Sequence, residues 1–272
     1  MSKAKKFYNK NGYYIARGLL KQKEINAVVK DIRQLVENQL KRHHIRAHSW
    51  KKNSDQLFDM QALLKKNVAT YLSSVRLGSA LFSLQKLCMH EKISWTCKEF
   101  GIMKPAFQTS PVFHILSNQL KIPGGYHGLG AHQDFTSTQA SLSAIIVWIP
   151  LCDIDEGFYP LELIPGSHLN GTLAGKLEEH YFEIDKSQYD EKDFIKVSVK
   201  KGDVVFMSVF TIHRSCIKGR KGVRMSASIR YEDAAEPTYI ERGYPCRYKR
   251  TVDREVLFKG FPSKQQLKKI FK

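Results

Sequence analysis

His132, Asp134 and His213, followed by Arg224, are the side chains whose types and spacing could do chemistry in this sequence. In His132-Gln133-Asp134 the outer two residues fall on the same side of an extended chain, because side chains alternate along a strand. A third ligand, His213, arriving from a distant strand completes two imidazoles and one carboxylate. That donor set suits a ferrous ion and leaves its other positions open for a cosubstrate and oxygen. Arg224 lies eleven residues past His213. Its planar guanidinium can pair two carboxylate oxygens at once, so it fits the anchor of a keto acid. Zinc or manganese on the same ligands, in a hydrolase or an inactive site, is the competing reading.

Elements of the right kind surround these residues. Gly124 to Gly130 is a glycine-rich loop, and Leu142 to Leu151 reads as a buried strand ending at Pro150. Leu163-Ile164-Pro165-Gly166-Ser167-His168 is a tight turn, with His168 bracing it. Gly202 to Phe206 opens a strand expected to carry His213 near its end. Lys218-Gly219-Arg220-Lys221-Gly222 reads as a basic hairpin loop leading into a strand from Val223 to Tyr231. Upstream, Ile25, Val28, Val29, Ile32, Leu35, Val36 and Leu40 form a helical stripe across residues 22–41. A second helical region runs from Asp55 to Leu87 with a break near Gly78. His43 to Asn53 reads as a loop or a mobile lid, and residues 169–194 as an insertion near a barrel mouth. Ser263 is a plausible helix start before Lys264 to Phe271. The expected fold is mainly β with flanking α-helices, a double-stranded β-helix (jelly-roll, cupin-like) core with the N-terminal helices packed on one sheet. One domain of residues 1–272 would then comprise a helical 1–99, a core of 100–233 and an extension of 234–272.

Residues 100–231 resemble the catalytic core of the phytanoyl-CoA dioxygenase-like family of Fe(II)- and 2-oxoglutarate-dependent oxygenases. The matching pieces are His132-Gln133-Asp134, Ile164 to His168, Gly202-Asp203, His213-Arg214-Ser215 and Gly222-Val223-Arg224, and Phe7 to Tyr13 resembles the family's usual start. The resemblance implies His132, Asp134 and His213 as catalytic metal ligands, with Fe(II), 2-oxoglutarate and O2 as cofactor and cosubstrates. It implies Arg224 as the cosubstrate anchor and Ser215 as its hydroxyl partner, with Gln133, Trp148 and Leu116 lining the pocket. If Ser215 and Arg224 pair across the hairpin, a four-residue loop at Lys218 to Lys221 puts them on one face. Tyr126 and His127, in the loop before the first ligand, are candidate substrate contacts. His114 reads as a satisfied interior side chain and Cys216 as a packed one. The intact carboxylate at Asp134 favours hydroxylation, desaturation or ring chemistry over halogenation, since related halogenases carry a small residue there.

The formal charge of +18, from 44 Lys and Arg against 26 Asp and Glu, points to an anionic small-molecule substrate or equally to a solvated lysine-rich surface. Nucleic acid is a less favoured partner, because aromatic residues do not interleave with the charges. The five cysteines are scattered and odd in number, which argues against a zinc cluster or a disulfide framework and fits a cytoplasmic setting. No apolar run reaches the roughly 18 residues of a membrane span, and no secretory signal is read. The function expected is a 2-oxoglutarate-dependent hydroxylase of a small or carrier-bound metabolite. A nucleic-acid-modifying relative and a non-catalytic cupin-like metal-binding protein are the alternatives.

Overall fold

A computed structural model describes residues 1–107, 109–122, 127–178, 181–245 and 261–272. The chain begins α1 (Lys3–Asn11), β1 (Tyr13–Ala16), α2 (Gln22–Arg42), α3 (Asn53–Lys66), α4 (Val68–Ala80), α5 (Phe82–Cys88) and α6 (Glu91–Glu99). Then come β2 (Pro105–Phe107), β3 (Val112–Leu116), α7 (Asp134–Thr138), β4 (Ile145–Pro150), β5 (Leu161–Leu163), β6 (Gly175–Leu177), β7 (Phe182–Ile184) and β8 (Ile195–Val197). It closes with β9 (Val204–Ser208), β10 (His213–Ser215), β11 (Arg224–Asp233), α8 (Pro237–Glu241) and α9 (Lys264–Ile270).

Two antiparallel sheets enclose a lumen. The larger runs β1-β9-β4-β11-β2, with β3 also paired to β11, and the smaller runs β10-β5-β8. Residues 224–228 of β11 take β3 as partner and residues 231–233 take β2, so two short strands together line one edge of one long strand. This is the double-stranded β-helix expected, with helices on the outer face of the larger sheet. The packing follows from alternation. Ile145, Val147 and Ile149 of β4 and Met225, Ala227, Ile229 and Tyr231 of β11 join the α2–α6 side chains in one core. The intervening Ile146 and Trp148 turn into the lumen with Val205, Met207, Leu161 and Leu163.

The helical stripe of residues 22–41 becomes α2, which buries Ile25, Val28, Ile32, Val36 and Leu40. The second helical region breaks near Gly78 as expected, at Leu81, and also at Asn67, which was not expected. Asn67 adopts an extended backbone and its side chain accepts from Thr70 N at 2.8 Å, so it ends one helix and caps the next. Gly78 lies inside α4, and Phe113 packs where a Cβ would be, so the glycine admits that ring. The loop from His43 to Asn53 is fastened, not free. The buried Asp59 carboxylate accepts from His48 N at 3.0 Å and Trp50 Nε1 at 2.8 Å, and pairs with His48 Nδ1 at 2.6 Å.

Two sequence expectations about the strands fail. Residues 204–215 are not one strand: β9 belongs to the larger sheet and β10 to the smaller, and the chain changes sheet between them. Lys218 to Lys221 does not close a hairpin either. β10 pairs with β5 while β11 pairs with β3 and β4, so residues 216–223 cross from one sheet to the other.

Candidate metal centre

His132 and His213 face each other directly, exchanging backbone hydrogen bonds of 3.0 Å in both directions. In such a pair both side chains leave the same face, and the ring centroids lie 4.1 Å apart. His132 Nδ1 lies 2.8 Å from Gly130 O and His213 Nδ1 lies 2.9 Å from Thr211 O. Each carbonyl can only accept, so both Nδ1 atoms carry a proton, and Nε2 is the nitrogen of each ring left to bind a metal. Burial, then neighbouring His132, lowers the His213 pKa to about 3, which keeps that ring neutral at ordinary pH.

Asp134 is the first residue of the short helix α7, not a strand residue as expected. The intervening Gln133 is still extended (φ −115°, ψ 132°), so the Asp134 carboxylate joins the two imidazoles on one side. Its two oxygens do different things. Oδ1 faces His132 Nε2 at 3.5 Å and His213 Nε2 at 4.0 Å. Oδ2 receives Arg230 through Nε and Nη2, each at 2.7 Å. Burial alone would push this carboxyl up, but the Arg230 guanidinium holds it well below the usual carboxylate range. The three ligand atoms lie within 4.8 Å of one another, and all three residues are buried. Two imidazoles and one ionised carboxylate are the donor set of a ferrous site, so the residues fit the ion.

Arg230 was not found from the sequence, although it has the same strand parity as Arg224. Gln133 departs from expectation. Its amide donates to Gly171 O at 2.9 Å and Phe210 O at 2.7 Å and accepts from Leu173 N at 3.2 Å, all backbone atoms. The side chain therefore ties the metal loop down and points away from the ligands. Arg224 is 3 % exposed, opposite Leu116 in register, with its guanidinium carbon 5.7 Å from the centre of the Trp148 ring. Arg224 therefore lies beside both Leu116 and Trp148. Ser215 sits opposite Leu161 in the smaller sheet and so does not pair across a hairpin with Arg224. His114 bonds Ser228 Oγ at 2.9 Å and is kept neutral by burial and the nearby Arg224, which bring its pKa to about 3.

His127 is at the rim, with Nε2 3.0 Å from Asn118 Oδ1. Tyr126 lies outside the described residues. His168 Nε2 bonds Asn9 O at 3.0 Å and braces its turn. The insertion supplies the hairpin β6–β7, and Tyr181 beside it lays its ring edge-on to His132 at 5.4 Å while its hydroxyl accepts from Gly130 N at 3.0 Å. Tyr181 is a second neighbour of the centre that sequence reading missed.

The model of the phytanoyl-CoA dioxygenase (PhyH) family matches residues 8–217. The chain belongs to the phytanoyl-CoA dioxygenase family. That family depends on Fe(II), 2-oxoglutarate and O2. Phytanoyl-CoA dioxygenase domain-containing protein 1 from Danio rerio is 25% identical over 244 residues, spanning 76% of this chain and 81% of its own length. Among solved structures, the epimerase SnoN in complex with Fe3+, alpha ketoglutarate and nogalamycin RO is similar with TM-score 0.57 and 17% identity, over 85% of this chain and 82% of SnoN. The carbocyclase SnoK from nogalamycin biosynthesis gives 0.53 and 20% over 90% and 92% of the two chains. HygX from Streptomyces hygroscopicus, with nickel and 2-oxoglutarate bound, gives 0.54 and 12% over 86% and 87%. These structural likenesses establish the fold that this phytanoyl-CoA dioxygenase family member shares with them. No helix among the described residues is long and apolar enough to cross a membrane.

Proposed function

We propose that this chain is an Fe(II)- and 2-oxoglutarate-dependent dioxygenase that hydroxylates a small or carrier-bound anionic metabolite and releases succinate and CO2. The divided Asp134 carboxylate carries the reading: one oxygen faces two imidazoles and the other is held by Arg230. His132, Asp134 and His213 would hold the iron. Bound iron with 2-oxoglutarate and O2 supplies the oxidising power for attack on a C–H bond. The chain's own residues do the positioning. Arg224 takes the far carboxylate of the cosubstrate, Trp148 and Leu116 wall its pocket, and Ser215 adds a hydroxyl from the opposite sheet. His127 would contact the substrate. The intact carboxylate at Asp134 favours hydroxylation over halogenation.

Charge near the pocket supports an anionic substrate. Asn53 donates to Val223 O at 2.8 Å and accepts from Val223 N at 2.7 Å, so the basic loop ending at Lys52 is clamped to the crossing that precedes Arg224. Exposed Lys51, Lys52, Lys218, Arg220 and Lys221 thereby gather at one side of the molecule. A carboxylated or phosphorylated metabolite matches that surface.

The test is an anaerobic titration of metal-free protein with Fe(II) and then 2-oxoglutarate, following the visible charge-transfer band of the chelate. Wild type should give the band, Asp134→Ala should lose it, and Arg224→Ala should need at least about tenfold more cosubstrate, as loss of a charge-assisted pair predicts. No band with folded, iron-loaded wild type would overturn the assignment of the cosubstrate. An unchanged cosubstrate affinity in Arg224→Ala would overturn the anchor. Succinate release on screening anionic metabolites in air then identifies the substrate class.

A further inference from the structure

Tyr159 is fully buried and holds a left-handed backbone, φ 49°, that bulky residues rarely adopt. The pairing around it shows how this arises. Cys216 N donates to Pro160 O at 3.0 Å, Arg220 N donates to Gly157 O at 2.9 Å, and Phe158 stands opposite Gly219. Between the matched points Pro160/Cys216 and Phe158/Gly219, the second segment carries one residue more than the first. Such an irregularity breaks strand alternation and re-aims a side chain. Here it turns Tyr159 into a buried cluster with Leu116 and Phe158.

Once turned inward, Tyr159 touches both segments that deliver Arg224. Its hydroxyl accepts from Asn118 N at 3.1 Å, just past the end of β3, where Leu116 stands opposite Arg224. Its ring lies flat against Gly219 in the crossing: a Cβ there would meet three ring carbons at 2.7 Å, so only glycine permits the contact. Strained backbone persists only where its surroundings over-determine it, and it gathers at ligand sites.

We infer that Tyr159 is a positioning residue for the cosubstrate, setting the depth at which Arg224 meets the far carboxylate and hence the length of 2-oxo acid the pocket prefers. This rests on the 2-oxoglutarate reading above. The ring holds the crossing from below and the hydroxyl holds the end of β3, so the anchor cannot retreat from the metal.

The experiment compares wild type, Tyr159→Asn and Tyr159→Phe in the anaerobic chelate titration, using 2-oxoglutarate and the one-carbon-longer 2-oxoadipate. Asn tolerates the left-handed backbone, so Tyr159→Asn removes the ring without adding strain. It should weaken 2-oxoglutarate by at least about tenfold and narrow the preference over 2-oxoadipate, with Fe(II) affinity measured before cosubstrate addition unchanged. Tyr159→Phe keeps the ring and loses one accepted hydrogen bond, so a loss of about threefold to tenfold is expected. It decides the matter if Tyr159→Asn does not fold. Wild type that binds iron without a chelate band would sink the 2-oxoglutarate reading itself. Wild type with a band, beside variants of unchanged affinity and preference, would overturn this inference alone. Equal losses for iron and both acids would also overturn it, marking Tyr159 as general packing.

Discussion

From Val223 along β11, two faces of one strand differ in kind more than in burial. Val223, Met225, Ala227, Ile229 and Tyr231 enter the helix-covered core, each at most 1 % exposed. Arg224, Ser226, Ser228, Arg230 and Glu232 face the lumen, where they meet Trp148, His114, Asp134 and Ser141. Alternation in a sheet usually sorts core from solvent. Here it sorts a core that holds the fold from a polar wall that can hold ligands. The two faces should therefore fail in different ways, one as lost stability and the other as lost binding.

The sharpest way to break that distinction is a cavity on the helix side. Ile229→Ala leaves a void among residues that cannot collapse freely, and should lower unfolding free energy by about 2–5 kcal/mol, read by urea denaturation. The folded fraction should bind Fe(II) and 2-oxoglutarate as wild type does. A tenfold fall in either affinity would mean that the two faces are coupled and that the division is wrong.

How much of this was legible follows from the range of each signal. The α2 stripe and the β4 run are local, and both stand where the periodicity put them. The ligand motif was legible because its chemistry lies in residue types, and Gln133 keeps the geometry even though α7 begins at Asp134. The crossing of residues 216–223 was misread as a hairpin because what holds it, Phe158 and Tyr159, is remote in sequence. The sheet change before His213 is similarly fixed from afar, by Thr211 Oγ1 donating to Gly12 O at 2.7 Å. Arg230 could have been found. Val223 to Glu232 alternates apolar and polar without a break, and two arginines on the polar side of a strand inside a metal enzyme's barrel ask for acidic partners.

Glu232, on the lumen face, tests the comparison through pH. Ser141 N donates to its Oε2 at 2.8 Å, while its Oε1 is buried without a hydrogen-bond partner among the described residues. Burial raises its pKa from 4.5 to about 7. The folded protein thus holds this proton more tightly than the unfolded chain does, and the stability it contributes is complete below pH 4.5 and lost as pH rises through about 7. Glu232→Gln does not titrate. Relative to the variant, wild type should lose stability between these two values and then stay level, with a ceiling of about 3 kcal/mol at about 1.4 kcal/mol per tenfold in proton affinity. Chemical denaturation at closely spaced pH values measures it. Parallel curves for the two proteins would show that Glu232 is ionised and paired throughout, and that this end of the lumen is wetter than its burial implies.

The smallest expected effect is at Arg230, and it bears most directly on the metal. Arg230→Met removes both donors to Asp134 Oδ2 while keeping much of the side chain's volume. Loss of a residue that orients a ligand typically lowers metal affinity about 10–100-fold. Two causes of such a loss can be separated by pH. If Arg230 only aims the carboxylate, the deficit should be the same at every pH. If it also keeps Asp134 ionised against burial, the carboxyl pKa rises in the variant and protons compete with iron. The deficit should then widen as pH falls from 8 to 6, because the wild-type carboxyl lies well below that range and takes no part in the competition. Competition against a chromophoric chelator gives the affinity at both ends. Because the cation stands on the far oxygen and the histidines on the near one, we expect the widening deficit. Equal iron affinity in variant and wild type at both pH values would reduce Arg230 to filler and leave Asp134 held by its backbone alone.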